Sequence, residues 1–259
     1  MRYVGRKFSD VVRGVELKCP VYKTIEDGQE QKYFELYQNG LGENNLIFTS
    51  VVLGDLINRC EDNALEITYI ARTDRTTPVN MACNLLLNLG GEGSGSVLDH
   101  ELRLDASTVL EADDRLIPTG KLLGVAGTPA DFRSLRRLGE GVDSDFDRIR
   151  MLRGYDHFFP VDGWRQNILT EVGELRDARS GRRVEILSSQ PGVTLYTGNR
   201  LGGGCPETKS GGRYRDYEGV AVVCQGYPDA VNRPEFPSPL LAPDGFYCQK
   251  TVYRFGTFR

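Results

Sequence analysis

Apolar and polar residues alternate in short runs along most of the chain, and turn-forming residues separate the runs. The sequence contains 30 glycines and 12 prolines, and no long stretch places apolar residues at the i, i+3, i+4 spacing of an amphipathic helix. This pattern predicts a mainly β structure. Strands are predicted at residues 65–71, 101–105, 183–188, 193–197, 219–225 and 246–255. One short helix is predicted at 145–153.

The composition is that of an ordinary globular protein. Of the 259 residues, 39% are hydrophobic and 26% are charged, and the net charge is −4. Scattered basic residues and a negative net charge exclude nucleic acid and anionic membrane as expected partners. No apolar stretch is long enough to span a bilayer and no leader is visible, so we expect a cytoplasmic protein. No repeat or linker divides residues 1–259, which predicts one domain.

Neither a metal nor a cofactor is expected. The six cysteines are predicted to be reduced, because a chain of this length needs no disulfide framework. His100 and His157 are too few for a zinc site. The acidic run at 143–147 lacks the glycine and the closing glutamate of a calcium loop. The glycine-rich segment at 90–95 is followed by strand-like sequence, so it fails as a dinucleotide-binding turn.

Several segments occur in an order and spacing that resemble one known family. They read TTPVNMACNLLLNLGG at 76–91, VLDHELRL at 97–104, DRLIPTGKLLGVAGTPADFR at 114–133, GYDHFFPVD at 154–162, SGRRVEILSSQPGVTLYTGN at 180–199, GVAVVCQGYPDAVNRPEFPSPLL at 219–241 and FYCQKTVYRF at 246–255. Together they resemble the aldose 1-epimerase (galactose mutarotase) family. The resemblance implies an all-β, galactose mutarotase-like β-sandwich (a supersandwich) in a single domain.

The match is weaker before residue 76, where only 5–14 and 37–48 look like degraded family segments. The chain is therefore interpreted as a shortened member that lacks the family's opening strands. The sheet edge that those strands would cover is expected to pair with something else, because bare edges invite pairing. We predict either a homodimer through this edge or a replacement strand formed by residues 15–36.

The resemblance also implies a catalytic set, and this chain departs from most of it. The family's sugar-binding Arg corresponds to Asp10, and its first His corresponds to Ile47. The His that acts as the acid corresponds to Asn84, and the Glu that acts as the base corresponds to Val223. Neither replacement can exchange a proton at neutral pH. Only the Asp that binds sugar hydroxyls is retained, as Asp156.

Further residues complete the predicted cleft. Gln225 follows Val223 by two positions, and Phe158 stands where the family has an Asn. His100 lies in a segment where the family usually has a His, and a structural role is favoured although it is kept as a binding candidate. Asp156 is predicted either to transfer protons with a raised pKa or only to form hydrogen bonds with the ligand.

Three functions are compatible with these changes. The favoured hypothesis is a repurposed isomerase, epimerase or cyclase that acts on a more hydrophobic carbonyl or hemiacetal small molecule, with Asp156 as the catalytic residue. One alternative is a non-catalytic protein that binds a sugar or a partner protein. The other is a residual aldose 1-epimerase.

Overall fold

The computed structural model describes residues 4–8, 17–26, 29–34, 63–146, 149–203 and 213–258. The chain divides into two compact units, Met1–Phe48 and Thr49–Arg259. Among the described residues, no helix is both long and apolar enough to cross a membrane. The prediction of one domain over residues 1–259 stays a prediction.

The first unit contains a three-stranded antiparallel sheet. Its strands are β1 (Val4–Phe8), β2 (Leu17–Glu26) and β3 (Gln29–Phe34), in the order β1-β2-β3. A tight connection joins β2 to β3, since Glu26 pairs with Gln29. Residues 17–26 and 29–34 thus form strands, and in these strands they pair with each other and with β1. Whether they replace the family's opening strands stays a prediction, as does the homodimer.

The second unit is built from short strands and a few single-turn helices. The strands are β4 (Ala64–Ala71), β5 (Thr77–Pro78), β6 (Leu86–Leu87), β7 (Glu101–Leu104), β8 (Thr108–Ala112), β9 (Pro118–Gly124), β10 (Arg136–Arg137), β11 (Asp156–Pro160), β12 (Thr170–Asp177), β13 (Arg182–Ser188), β14 (Gly192–Tyr196), β15 (Val220–Gln225), β16 (Leu240–Leu241) and β17 (Tyr247–Thr257). The helix α1 covers Ile149–Leu152, and 3-10 turns cover Leu138–Gly141, Leu201–Gly203 and Ala230–Asn232. All six predicted strands are present within two residues of their predicted ends, because strict alternation and flanking turns specify them locally.

Two antiparallel sheets carry most of this unit. The larger has six strands in the order β10-β7-β12-β13-β17-β4, and the smaller has four in the order β11-β14-β15-β6. The pairs β5–β16 and β8–β9 form two-stranded ribbons. The all-β prediction is confirmed.

The two larger sheets meet through side chains of β15 and β17. The Tyr253 hydroxyl donates a hydrogen bond to the Val222 carbonyl at 3.1 Å, and Tyr253 is 1% exposed. Cys224 lies within hydrogen-bonding reach of the Ser188 and Thr251 side chains. One face of the four-stranded sheet is therefore part of the core, and its opposite face points away from the six-stranded sheet.

Candidate active site

The four-stranded sheet places most of the predicted site residues on one face. Asp156 pairs with Tyr196 across β11 and β14, and Phe158 pairs with Thr194. Thr194 in turn pairs with Val223 on β15. Directly paired residues share a face, and two strand spacings separate β11 from β15 by roughly 10 Å. We call this surface the site face. It is defined by Asp156, Phe158, Thr194, Tyr196, Val223 and Gln225.

Gln225 joins this face through its pairing with Gly192, and its side-chain amide donates to the Thr194 hydroxyl at 3.1 Å. Asn84 lies at the far edge, two residues before Leu86 of β6. Residues 83, 85 and 87 are buried while 84 and 86 are half-buried. This is the alternation of an extended chain, and it places Asn84 on the same side as Leu86, although the Asn84 side-chain oxygen is itself buried. The sequence-based grouping of these residues thus corresponds to a common surface, and their roles stay predictions.

Asp156 owes its position to a clamp at the start of β11. The Tyr155 backbone N–H donates to the Thr197 hydroxyl at 3.0 Å, and the Asn199 side-chain amide donates to the Tyr155 carbonyl at 3.0 Å. Gly154 precedes this clamp with φ of +147°, and a Cβ there would lie 2.4 Å from the Asn199 side-chain oxygen. Glycine is therefore required at 154, because any side chain would push Asn199 away. The turn that follows β14 fixes the catalytic candidate on β11.

The pKa of the Asp156 carboxyl is set by burial against two neighbouring basic side chains. Surrounding protein desolvates the carboxyl and raises its pKa above the ordinary value, while His157 and Arg200 oppose that rise. The side chain nevertheless keeps solvent access. Its cross-strand neighbour Tyr196 also has a raised pKa, mainly because of burial. The Tyr196 hydroxyl accepts the Arg200 backbone N–H at 3.1 Å, which orients the phenol.

An aromatic cluster borders the site face on the other side. The Phe158 ring lies over Gly192, where an added Cβ would come within 2.2 Å of the ring. Its centroid is 4.8 Å from that of Tyr227, which is 4.5 Å from that of Phe236. Phe158 is only 5% exposed, so it forms a wall of the surface rather than an open contact. The Phe158 ring is thus buried in the cluster, and its role as a binding residue stays a prediction.

Three neighbours of site residues are buried on the other side of the chain. His157 is buried, and its Nδ1 accepts the Asp156 backbone N–H at 3.0 Å. Cys83 and Cys224 are free and buried, and burial raises the pKa of each thiol to about 12. Thiols with such pKa values are poor nucleophiles at neutral pH.

His100 lies elsewhere, which corrects its inclusion among the predicted cleft residues. It immediately precedes β7 of the six-stranded sheet, and its Nε2 accepts the Leu89 backbone N–H at 3.0 Å. This buried contact joins His100 to the chain just after β6 rather than to Asp156. Asp10 and Ile47 lie outside the described residues.

Sequence reasoning missed three contributors to the site face and its rim: Thr194, Tyr196 and Arg200. They lie in or just after the string GVTLYTGN at 192–199, but only cross-strand pairing shows that this string lies beside Asp156. Within the described parts of the chain, no cluster of three or more His, Cys, Asp or Glu side chains is placed to hold a metal ion.

Comparisons with known proteins agree with this architecture. The family model for aldose 1-epimerase matches residues 58–254. Galactose mutarotase from Bos taurus is 38% identical over 191 residues, which is 74% of this chain and 54% of that protein. Aldose 1-epimerase from Escherichia coli is 35% identical over 201 residues, covering 75% of this chain and 56% of that protein. The chain thus spans about half the length of these relatives.

Solved structures show the same fold. The aldose epimerase homologue from C. elegans superposes with a TM-score of 0.65 at 23% identity, covering 99% of this chain and 65% of that one. Galactose 1-epimerase from Lactobacillus acidophilus also gives 0.65, at 20% identity, covering 99% and 67%. The galactose mutarotase-like fold is confirmed.

These relatives overturn the favoured functional hypothesis. A repurposed enzyme for a more hydrophobic carbonyl or hemiacetal compound was expected because four of five family positions differ. Identities of 38% and 35% to a galactose mutarotase and an aldose 1-epimerase contradict that hypothesis and support the residual aldose 1-epimerase instead. The described polar groups of the site face, Thr194, Tyr196 and Gln225, are compatible with a sugar ligand.

Proposed function

The chain belongs to the aldose 1-epimerase family, and on this premise we propose that it interconverts the α and β anomers of an aldohexose such as galactose, as a residual aldose 1-epimerase. The similarity to a protein named galactose mutarotase supports the substrate class. The observation that carries the proposal within this chain is the Asp156 carboxyl, solvent-accessible on the site face beside Tyr196.

Interconversion of anomers requires two proton transfers. A base takes the proton of the anomeric hydroxyl, and an acid protonates the ring oxygen, so that the ring opens, rotates and closes again. Burial raises the pKa of the Asp156 carboxyl, which makes it a stronger base than an ordinary Asp. In this proposal Asp156 exchanges protons with the sugar, directly or through a water molecule.

Neighbouring groups would hold the sugar by its hydroxyls. Thr194, Gln225 and Tyr196 present one hydroxyl, one amide and one phenol on the same face. Hydroxyls of a sugar both donate and accept, and these three groups offer both capacities. Arg200, on the turn beside Tyr196, adds a positive charge near Asp156.

The mutarotation rate is expected to be lower than that of an enzyme of this fold that has both the acid and the base. Val223 and Asn84 stand where the family resemblance places the base and the acid, and neither supplies a titratable group. Since one general acid or base typically contributes about 10²–10⁴-fold, a single carboxyl replaces only part of the usual acceleration.

Mutarotation of freshly dissolved α-D-galactose, followed by polarimetry and by anomeric proton NMR, tests the proposal. The unmodified protein should exceed the buffer rate in proportion to its concentration. Asp156→Asn should lose about 100-fold or more of that excess, because the amide cannot exchange protons. Asp145→Asn is the matched control, since Asp145 is 79% exposed and pairs with Arg150 at 3.0 Å. A buffer-level rate for the unmodified protein, or an unaltered rate in Asp156→Asn with the fold intact, would refute the proposal.

A further inference from the structure

A polar cavity lies at the start of β7, next to the turn between β12 and β13. Its volume is about 340 Å³, and its lining includes Ser94, His100, Arg137, Asp177 and Arg179. This volume lies at the lower end of the roughly 300–1,000 Å³ range typical of small-molecule sites. None of the residues that define the site face contributes to its lining.

His100 leaves one strong hydrogen-bonding group unused in this cavity wall. The residue is 3% exposed, and its Nε2 accepts the Leu89 backbone N–H at 3.0 Å. Burial lowers the pKa of His100, which keeps the ring neutral. In a neutral ring whose Nε2 accepts, Nδ1 carries the proton and is a donor. Across the described part of the chain this buried Nδ1 has no hydrogen-bond partner, and such groups call for an explanation.

A buried carboxylate lies within electrostatic reach of that donor. Asp177 is 5% exposed and accepts the backbone N–H groups of Arg179 at 3.2 Å and Ser180 at 3.0 Å. Burial raises the pKa of Asp177, but the hydrogen bonds from the Ser180 side chain and from the two backbone N–H groups outweigh it and lower that pKa, and His100 contributes in the same direction. The carboxylate offers about four acceptor positions in total. The Arg179 and Ser180 backbone N–H groups and the Ser180 side chain occupy three of them, so one remains for a ligand.

The charges around the cavity balance. Arg137 and Arg179 contribute two positive charges, and Asp99 and Asp177 contribute two negative charges, which sum to zero. Arg137 and Asp99 also pair with each other at 3.5 Å. An anion entering here would approach the buried Asp177 carboxylate, and a cation would approach Arg179, so an uncharged ligand is favoured over either.

We infer that this cavity binds a neutral polyhydroxylated molecule of monosaccharide size, at a site separate from the site face. One ligand hydroxyl accepts from His100 Nδ1 and donates to the Asp177 carboxylate. A hydroxyl suits this pair because it has one donor and two acceptor positions, whereas a carboxylate only accepts at neutral pH. The inference does not depend on the proposed catalytic function.

Backbone amide NMR titration of the full chain with D-galactose tests the inference, with inorganic phosphate as a parallel probe. Binding in the cavity should shift the amides of Leu89, Arg179 and Ser180. Binding on the site face should shift those of Asp156, Thr194 and Gln225. The two sets report separately, and repeating the titration in Asp156→Asn keeps the cavity result independent of turnover.

His100→Gln removes the Nδ1 donor while its side-chain oxygen still accepts from Leu89. Cavity binding should weaken about tenfold, as for the loss of one buried hydrogen bond. Ala178→Trp, at an exposed position in the cavity wall, should block binding without touching His100. Ser134→Trp is the matched control, because Ser134 is exposed in a different groove, and it should bind like the parent.

Galactose-dependent shifts at the cavity amides that weaken in His100→Gln and vanish in Ala178→Trp support the inference. Absence of these shifts, shifts with phosphate but not galactose, or unaltered binding in Ala178→Trp overturns it. If the unmodified protein showed no mutarotation while galactose still shifted the cavity amides, only the proposed function would be refuted.

Discussion

The two faces of β14 and β15 differ sharply although they share the same backbone. On β14, Val193 and Leu195 are fully buried, while the intervening Thr194 and Tyr196 are half-buried and polar. The face that carries Val193 and Leu195, which we call the inner face, holds the sheets together. The site face carries the neighbours of Asp156. Since alternate residues of a strand serve separate environments, chemistry on one face can change without altering the core on the other. A chain can therefore retain the family fold even where residues of the site face are replaced.

Adjacent residues of β15 are both buried but belong to opposite faces. Val223 pairs with Thr194 on the site face, whereas Cys224 lies beside Ser188 and Thr251 on the inner face. A carboxylate at 224 would be enclosed between the sheets, and a carboxylate at 223 would lie beside the half-buried, polar Thr194. We expect Cys224→Glu to cost several kcal/mol, on the order of the penalty for an unpaired buried ion, and to prevent folding.

Val223→Glu should fold, with a much smaller loss in the free energy of unfolding. Urea unfolding followed by circular dichroism measures both variants, with Cys224→Ser as the control for loss of the thiol. Equal destabilisation at 223 and 224 would contradict the assignment of the two residues to different faces.

Val223→Glu also has an expected effect on activity. It places a carboxylate two strands from β11 and gives the site face a second group able to exchange protons. The mutarotation rate should rise by about 10²-fold, the lower end of a general base contribution. Val223→Gln, which matches the shape but cannot ionise, should not raise it. A rate for Val223→Glu equal to that of Val223→Gln would show that residue 223 does not approach the bound sugar.

A smaller effect concerns the stability contributed by Asp156. Its pKa is raised in the folded state, so between the ordinary carboxyl pKa and the raised value the native state binds more protons than the unfolded state. The free energy of unfolding therefore falls as pH rises through that window, and it stays lowered above it. Asp156→Asn should be more stable than the parent at pH 7, and the difference should disappear below the ordinary carboxyl pKa.

Unfolding midpoints across this pH range measure the effect, with Asp145→Asn as the control for an exposed carboxyl. A variant that is less stable at pH 7 would show that the ionised Asp156 is stabilised by Arg200 more than desolvation destabilises it.

The sequence predicted local features well and spatial relations less well. Strand ends followed from alternation and turns, and family resemblance grouped Asp156, Asn84, Val223 and Gln225 on one surface. Thr194 and Tyr196 were missed because their importance depends on pairing with β11, which brings together residues about 40 apart in sequence. His100 was misplaced because a family segment specifies a residue type but not which cavity the side chain enters. The burial of Phe158 against Tyr227 is not predictable from the strand pattern, because Tyr227 lies in a loop that is distant in sequence.

The smallest predicted effect comes from exchanging a hydroxyl and a methyl on neighbouring residues of β14. Thr194→Val removes the acceptor of the Gln225 amide on the half-buried site face, and water can replace it there. The loss should be at most about 1 kcal/mol, the net contribution of a typical hydrogen bond. Val193→Thr adds a hydroxyl on the fully buried inner face, where it lacks water, and should cost about 1–3 kcal/mol. Chemical denaturation of both variants measures the difference. If Thr194→Val proved the more damaging, the Gln225–Thr194 bond would be a structural element of the sheet rather than a feature available to a ligand.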